Sequence, residues 1–198
     1  MSAMAYAFYF LELSKTIKLT SEFKAGGIAV FQSASLNLTT PEGGGDNNTI
    51  NISRGGNILL HIAIRRDVGK IVFNSKPVGG SWGTEESVAL EGVFSGPYPT
   101  IRVYDHGDRF LILADPETIH YFKKRISGNA ENFSYGTHKP PSVFSNILAV
   151  TVYRSFTGIE PHTLPPRLQE LLPRTRICLT IRFAPLEPPQ TGFPDDAV

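Results

Sequence analysis

Up to about residue 153 the chain never settles into the spacing of an amphipathic helix. It runs in short β-type segments cut apart by Gly, Pro, Asn and Asp. The segments fall at 5–13, 15–20, 27–38, 48–53, 57–65, 70–75, 85–94, 100–105, 109–114, 118–122 and 145–153. Many short strands at such intervals predict an all-β chain, folded as a sandwich or a barrel. Several turns are legible: "GGGDNN" at 43–48 is a flexible loop, "RDVGK" at 66–70 closes a hairpin, and "YDHGDRF" at 104–110 holds a tight turn.

After Tyr153 the character changes, and more than half of the 15 prolines lie beyond it. We divide the chain into a β domain over 1–155 and a Pro-rich C-terminal extension over 156–198. The extension allows at most a short helix at 166–172 and one more strand at 176–183, and is otherwise irregular. At 198 residues there is chain enough to bury a sizeable core in one domain. Cys178 is the single cysteine, so no internal disulfide can form. The apolar N-terminus has no basic flank or cleavage site, which argues against a signal peptide. The expected location is therefore the cytoplasm, or the extracellular space or cell wall by a non-classical route. No apolar run reaches the roughly 18 residues of a membrane span. A net charge of +1, spread along the chain, leaves no footprint for nucleic acid. Sequons at Asn37, Asn47, Asn51 and Asn132 read first as turn and strand-end chemistry.

The chemistry concentrates between residues 47 and 85. In "NILLHIAIRR" side chains alternate across the strand, so Leu60, Ile62 and Ile64 face a core. His61, Ala63 and Arg65 face the other way, as an exposed edge. The hairpin returns as "IVFNS", setting Asn74 and Val72 beside Arg65 and Ala63. Eight residues past Asn74 comes Trp82, the only tryptophan, and Glu85 follows three later. Sugar hydroxyls need planar, forked hydrogen-bonding groups, because an unmatched polar group loses its water without return. His, Arg, Asn and Glu supply them, and an indole offers a flat apolar wall for the C–H face of a sugar ring.

Other chemistries fit less well. Asp105, His106 and Asp108 match no specific metal spacing, and turn formation explains them, so no metal or cofactor is expected. Glu85 and Glu86 are strand neighbours facing opposite ways and cannot flank one glycosidic bond. The "GGSWG" at 79–83 lacks the strand-to-helix setting of a hydrolase's nucleophile elbow. No enzyme is expected.

The ordered set "ASLNL…NNT", "LLHIA-R", "VFNS", Trp82, Glu85, "VYDHGD", "HYFKKRISG" and "FS…AVTVY" resembles the galectins, most closely those of mushrooms. The resemblance covers residues 5 to 153. It implies an antiparallel two-sheet β-sandwich, a jelly roll of the galectin and concanavalin A type, that binds β-galactosides without catalysis. By position, His61 and Arg65 would contact the galactose C4 hydroxyl and Asn74 the C6 hydroxyl. Trp82 would stack on the ring, and Glu85 would bridge Arg65 to the neighbouring sugar. The chain departs from the family pattern twice. Ala63 stands where an Asn is usual, and the 43–48 loop would bring in Asn47 instead, with Asn48 as its rival. Ser87 stands where an Arg is usual, and Lys76 would replace it. The resemblance also implies a homodimer or homotetramer that crosslinks glycoproteins and glycolipids. A relative on the same fold that binds N-acetylglucosamine oligomers is the alternative, against which Trp82 argues.

Overall fold

The computed structural model of the chain describes residues 6–154. The short helix expected at 166–172, the strand at 176–183 and the irregular extension all lie outside the described residues. Within them there are strands and turns and no helix, so none is long and apolar enough to cross a membrane.

The described residues form twelve strands in two antiparallel sheets of six. One sheet runs in the order β1 (Tyr6–Glu12), β12 (Ile147–Tyr153), β3 (Ile28–Ser33), β8 (Thr100–Asp105), β9 (Arg109–Ala114), β10 (Glu117–Lys123). The other runs β2 (Lys15–Phe23), β11 (Ala130–Thr137), β4 (Asn48–Arg54), β5 (Asn57–Arg65), β6 (Lys70–Lys76), β7 (Glu86–Ala89). The two sheets face each other, and the inward residue of each alternating pair fills the space between them. Ile50, Ile52, Leu60, Ile62, Ile64, Ile71, Phe73 and Phe133 come from the second sheet; Leu11, Phe31, Val103, Ile112 and Val150 come from the first. Phe31 and Phe133 meet across the interior at 5.2 Å between ring centres. The expectation of a sandwich or barrel thus resolves to a sandwich.

Strand β11 was absent from the expected set. Its sequence, "AENFSYGT", is rich in turn formers on one face. Its buried residues are Ala130, Phe133 and Tyr135, and its strand character comes from lying between β2 and β4. The segments expected at 27–38 and 85–94 are shorter in the structure, ending at Ser33 and Ala89. The turn readings hold at two places. The carboxylate of Asp105 accepts the Gly107 amide at 2.7 Å and pairs with Lys124, and Asn37 Oδ1 accepts the Thr39 amide at 2.9 Å.

Candidate functional site

The β5–β6 hairpin carries the centre of the site. Its register sets His61 opposite Asn74, Ala63 opposite Val72, and Arg65 opposite Lys70. This corrects the expected pairing of Asn74 with Arg65. The four-residue turn between Arg65 and Lys70 makes those two partners and moves Asn74 two pleats along. A second correction concerns exposure. The face was expected to be open, yet His61, Ala63, Val72 and Asn74 are all buried. Neighbouring side chains and loops cover this floor: His61 lies against Trp82, with ring centres 4.6 Å apart.

His61 has a defined hydrogen-bonding polarity. Asn51 on β4 donates through Nδ2 to Ser134 Oγ on β11 at 3.1 Å, which leaves its Oδ1 facing His61 Nδ1 at 2.6 Å. An amide oxygen only accepts, so Nδ1 carries the proton and Nε2 is the free acceptor. Burial, helped by the Arg65 charge, lowers the His61 pKa from 6.5 to about 4, so the ring is neutral at neutral pH. Asn51 and Ser134 were not anticipated as site residues. The alternation of β4 puts Asn51 on the site face, but its partner comes from β11, the strand the sequence concealed.

The pKa of His61 has a consequence for stability. The unfolded ring binds its proton near pH 6.5 and the folded ring only near pH 4. Stability from this group is therefore complete above pH 6.5 and is lost as pH falls towards 4. Relative to a His61→Gln variant, the wild type is expected to lose roughly 2–3 kcal/mol between pH 7.5 and 4.5. Urea unfolding of both proteins at the two pH values measures this. A difference that stays constant with pH would contradict the buried neutral ring.

Arg65 is fixed from two sides. Glu85 accepts Nη1 at 3.0 Å and Nη2 at 2.7 Å in a two-pronged pair, and Asn47 Oδ1 receives Nε at 3.5 Å. The hydrogen bonds from Arg65 hold the Glu85 carboxyl below the usual carboxylate range. The loop therefore brings Asn47 to Arg65, while Asn48 turns inward. Buried Asn48 donates to Asp46 and accepts the Val143 amide.

What holds that loop is the residue next to Arg65. Arg66 shares the parity of Leu60, Ile62 and Ile64, and its side chain is buried to the same degree as that of its partner, Asp46. Asp46 accepts from Arg66 Nε at 2.6 Å, Nη2 at 2.9 Å and the backbone amide at 2.9 Å. Burial opposes ionisation of Asp46, but the Arg66 bonds outweigh it and its pKa is lowered. Asp67 Oδ2 accepts the amides of Gly45 and Asp46 at 2.6 and 3.1 Å. Gly43, Gly44 and Gly45 all have φ between 62° and 78°, which side chains with a Cβ rarely adopt. Arg66 opens the "RDVGK" hairpin turn, and its parity with Leu60, Ile62 and Ile64 is the signal that it needs an acid inside.

Trp82 is 45% exposed on the loop between β6 and β7. Asn74 anchors this loop by donating Nδ2 to the Gly83 carbonyl at 2.9 Å, while its Oδ1 accepts Arg125 at 3.1 Å. At Gly83 a Cβ would stand 2.6 Å from Arg125 Nη1, so a larger residue there would displace the Arg125 guanidinium from Asn74. Lys76 lies 5.6 Å from the indole centre. It pairs with Ile58, four residues beyond Val72, whose partner is Ser87. At the rise of a strand that is about 13 Å from the position it was expected to fill. Glu86 turns away from Glu85, towards His120 at 2.7 Å and Arg125 at 2.6 Å. The two carboxylates thus face opposite sides of the sheet.

The unspent hydrogen-bonding capacity can now be counted from donor geometry. His61 Nε2 accepts, two Arg65 N–H groups and one Asn74 N–H donate, and all lie near one open indole. An antiparallel sandwich bearing a shallow polar platform beside an exposed Trp has the form of a carbohydrate-binding lectin. The sequence profile described as "Galactoside-binding lectin" matches residues 10–137. Galectin-1 of Coprinopsis cinerea is 43% identical over 158 residues, which cover 80% of this chain and 98% of that one. Galectin-2 of the same fungus is 39% identical over the same shares. The "Anti-tumor lectin" of Cyclocybe aegerita is 31% identical, covering 73% of this chain and 94% of its own. The chain belongs to the galectin family, among proteins that bind carbohydrate without catalysis, and it is close to those of mushrooms. Among solved structures, a galectin of Caenorhabditis elegans superposes with a TM-score of 0.56 at 18% identity, covering 75% of this chain and 96% of that one. A toad ovary galectin in complex with N-acetylgalactose gives 0.53 at 18%, covering 70% and 97%. At that identity these two speak to the fold alone.

Proposed function

We propose that the protein binds terminal β-galactosides of the lactose and N-acetyllactosamine type on the face of β4, β5 and β6. The observation that carries this is the convergence of Arg65, held by Glu85 and Asn47, with the free Nε2 of His61 beside the open face of Trp82. An axial hydroxyl, such as that on galactose C4, donates to His61 Nε2 and accepts from Arg65 at once. An equatorial hydroxyl cannot reach the floor while the ring stacks on the indole. Asn74 takes the C6 hydroxyl with its remaining N–H, and Ala63 and Val72 form the apolar floor. Lys76 steadies the indole rather than meeting the second sugar. Glu85 accepts from the sugar next to galactose while orienting Arg65.

Asn47→Ala is expected to weaken lactose binding several-fold with little loss of stability. Asn48→Ala is expected to lower stability, because it leaves Asp46 and the Val143 amide short of a partner. Calorimetric titration and urea unfolding of both variants separate the two roles. Equal and negligible effects on binding would remove Asn47 from the site. The function as a whole is tested on a glycan array, where bound spots end in β-galactose. Binding confined to N-acetylglucosamine oligomers would replace the reading with the alternative one.

Crosslinking requires more than one site, and we propose self-association through β1. That strand ends its sheet, and Tyr6, Phe8 and Phe10 are exposed on its outer face. Sedimentation of Phe8→Ser/Phe10→Ser against wild type tests it, and equal masses would refute it.

A further inference from the structure

Beyond the Arg65–Glu85 pair the face continues over β6 and β7. The register sets Lys70 opposite Arg65 on one side and Ala89 on the other, with Ser87 opposite the adjacent Val72. Lys70, Val72 and Asn74 share a face, so the Lys70 side chain rises at the far end of the sugar platform. Ser87 and Ala89 are exposed and short, so they leave that end open. The galectin resemblance implies an Arg at the position of Ser87. Lys76, the expected substitute, stands at the Trp82 end instead. The cation on the correct side is Lys70.

Its charge is also unspent. Arg65 is neutralised by the two-pronged contact with Glu85. Among the described residues Lys70 makes no ion pair of its own, so this end of the site carries one net positive charge. Besides the Arg65 bonds, the Lys70 ammonium also favours the ionised form of Glu85. An Arg in the usual place would offer a planar fork suited to neutral hydroxyls and amides. An ammonium is a compact, strongly hydrated charge that gains most from an anion.

We propose that Lys70 sets the specificity for the second sugar by accepting an anionic substituent, a sulfate ester or a carboxylate, on the residue joined to galactose. This rests on the galactoside reading above. The test compares neutral N-acetyllactosamine with its monosulfated forms bearing the sulfate on N-acetylglucosamine, and with galactose linked to glucuronic acid. Affinities are measured by titration calorimetry at low and high salt, for wild type, Lys70→Met and Lys76→Met. In wild type at least one anionic form is expected to bind about fivefold more tightly than the neutral one at low salt, less so at high salt. The arm that gains identifies sulfate or carboxylate as the group. Lys70→Met should bring the anionic-to-neutral ratio to about one, while Lys76→Met keeps it. Absence of any anionic preference in wild type, or its survival in Lys70→Met, overturns the proposal and leaves galactoside binding intact. Failure of wild type to bind even the neutral disaccharide overturns the galactoside reading itself.

Discussion

Asp46→Ala is expected to lower the free energy of unfolding by about 3–5 kcal/mol, the cost of removing one partner from a buried ion pair. Asp46 and Arg66 side chains are both fully buried, and Asp46 takes three bonds from Arg66 and one from Asn48. Removing the acid strands a guanidinium that can neither reach water nor lose its proton. Asp46→Ala combined with Arg66→Met should recover much of the loss, since apolar groups of similar size need no partner. The pair also predicts acid sensitivity. The folded pKa of Asp46 is lowered, so its contribution is present above the unfolded value near 3.8 and is lost as pH falls through the lower folded value. Urea unfolding followed by circular dichroism measures all three proteins. A loss below about 1 kcal/mol for the single variant would mean that the Asn37 and Pro141 carbonyls, which also accept from Arg66, suffice for it. The same variant should bind galactosides more weakly even when folded, because Asn47 follows Asp46 directly and is carried by the loop this pair holds.

Trp82→Ala and Arg65→Ala are each expected to abolish measurable lactose binding and leave the fold in place. A stacking contact or a pair of charge-assisted hydrogen bonds contributes on the order of 1–3 kcal/mol. A loss of about 2 kcal/mol is roughly thirtyfold in affinity, and a shallow site starts from weak binding. Stability should change little, because Trp82 is 45% exposed and Glu85, freed of Arg65, is half in water. Titration with lactose, alongside thermal unfolding, checks both halves. Unchanged affinity in either variant would take that residue out of the site.

The two variants differ in how legible they were. Trp82 and Arg65 stood out because residue type and spacing suffice to suggest sugar chemistry, and the galectin pattern names their positions. Asp46 did not, because nothing in "GGGDNN" distinguishes a buried anchor from a solvated loop acid. Arg66 carried a clue in its parity with Leu60, Ile62 and Ile64, since a charge on the core side must find its opposite. Which acid would answer depended on a contact across 20 residues of chain. Asn51 and Ser134 were hidden for a similar reason. They meet because β11 pairs with β4, and β11 reads as a turn when taken alone.

The strand periodicity, the inward and outward faces of β5 and β6, the family, and the residue types available for sugar are all legible along the chain. Those features are local: alternation is a property of neighbouring residues, and motif spacing is counted along the chain. The hairpin register, the burial of the His61 floor, the neutral state of that histidine and the inward anchor of the Asn47 loop come from the folded chain. It also showed that Lys70, rather than Lys76, stands beside Ser87. Each of these depends on which distant segments share a sheet, and long-range pairing leaves no period in a sequence.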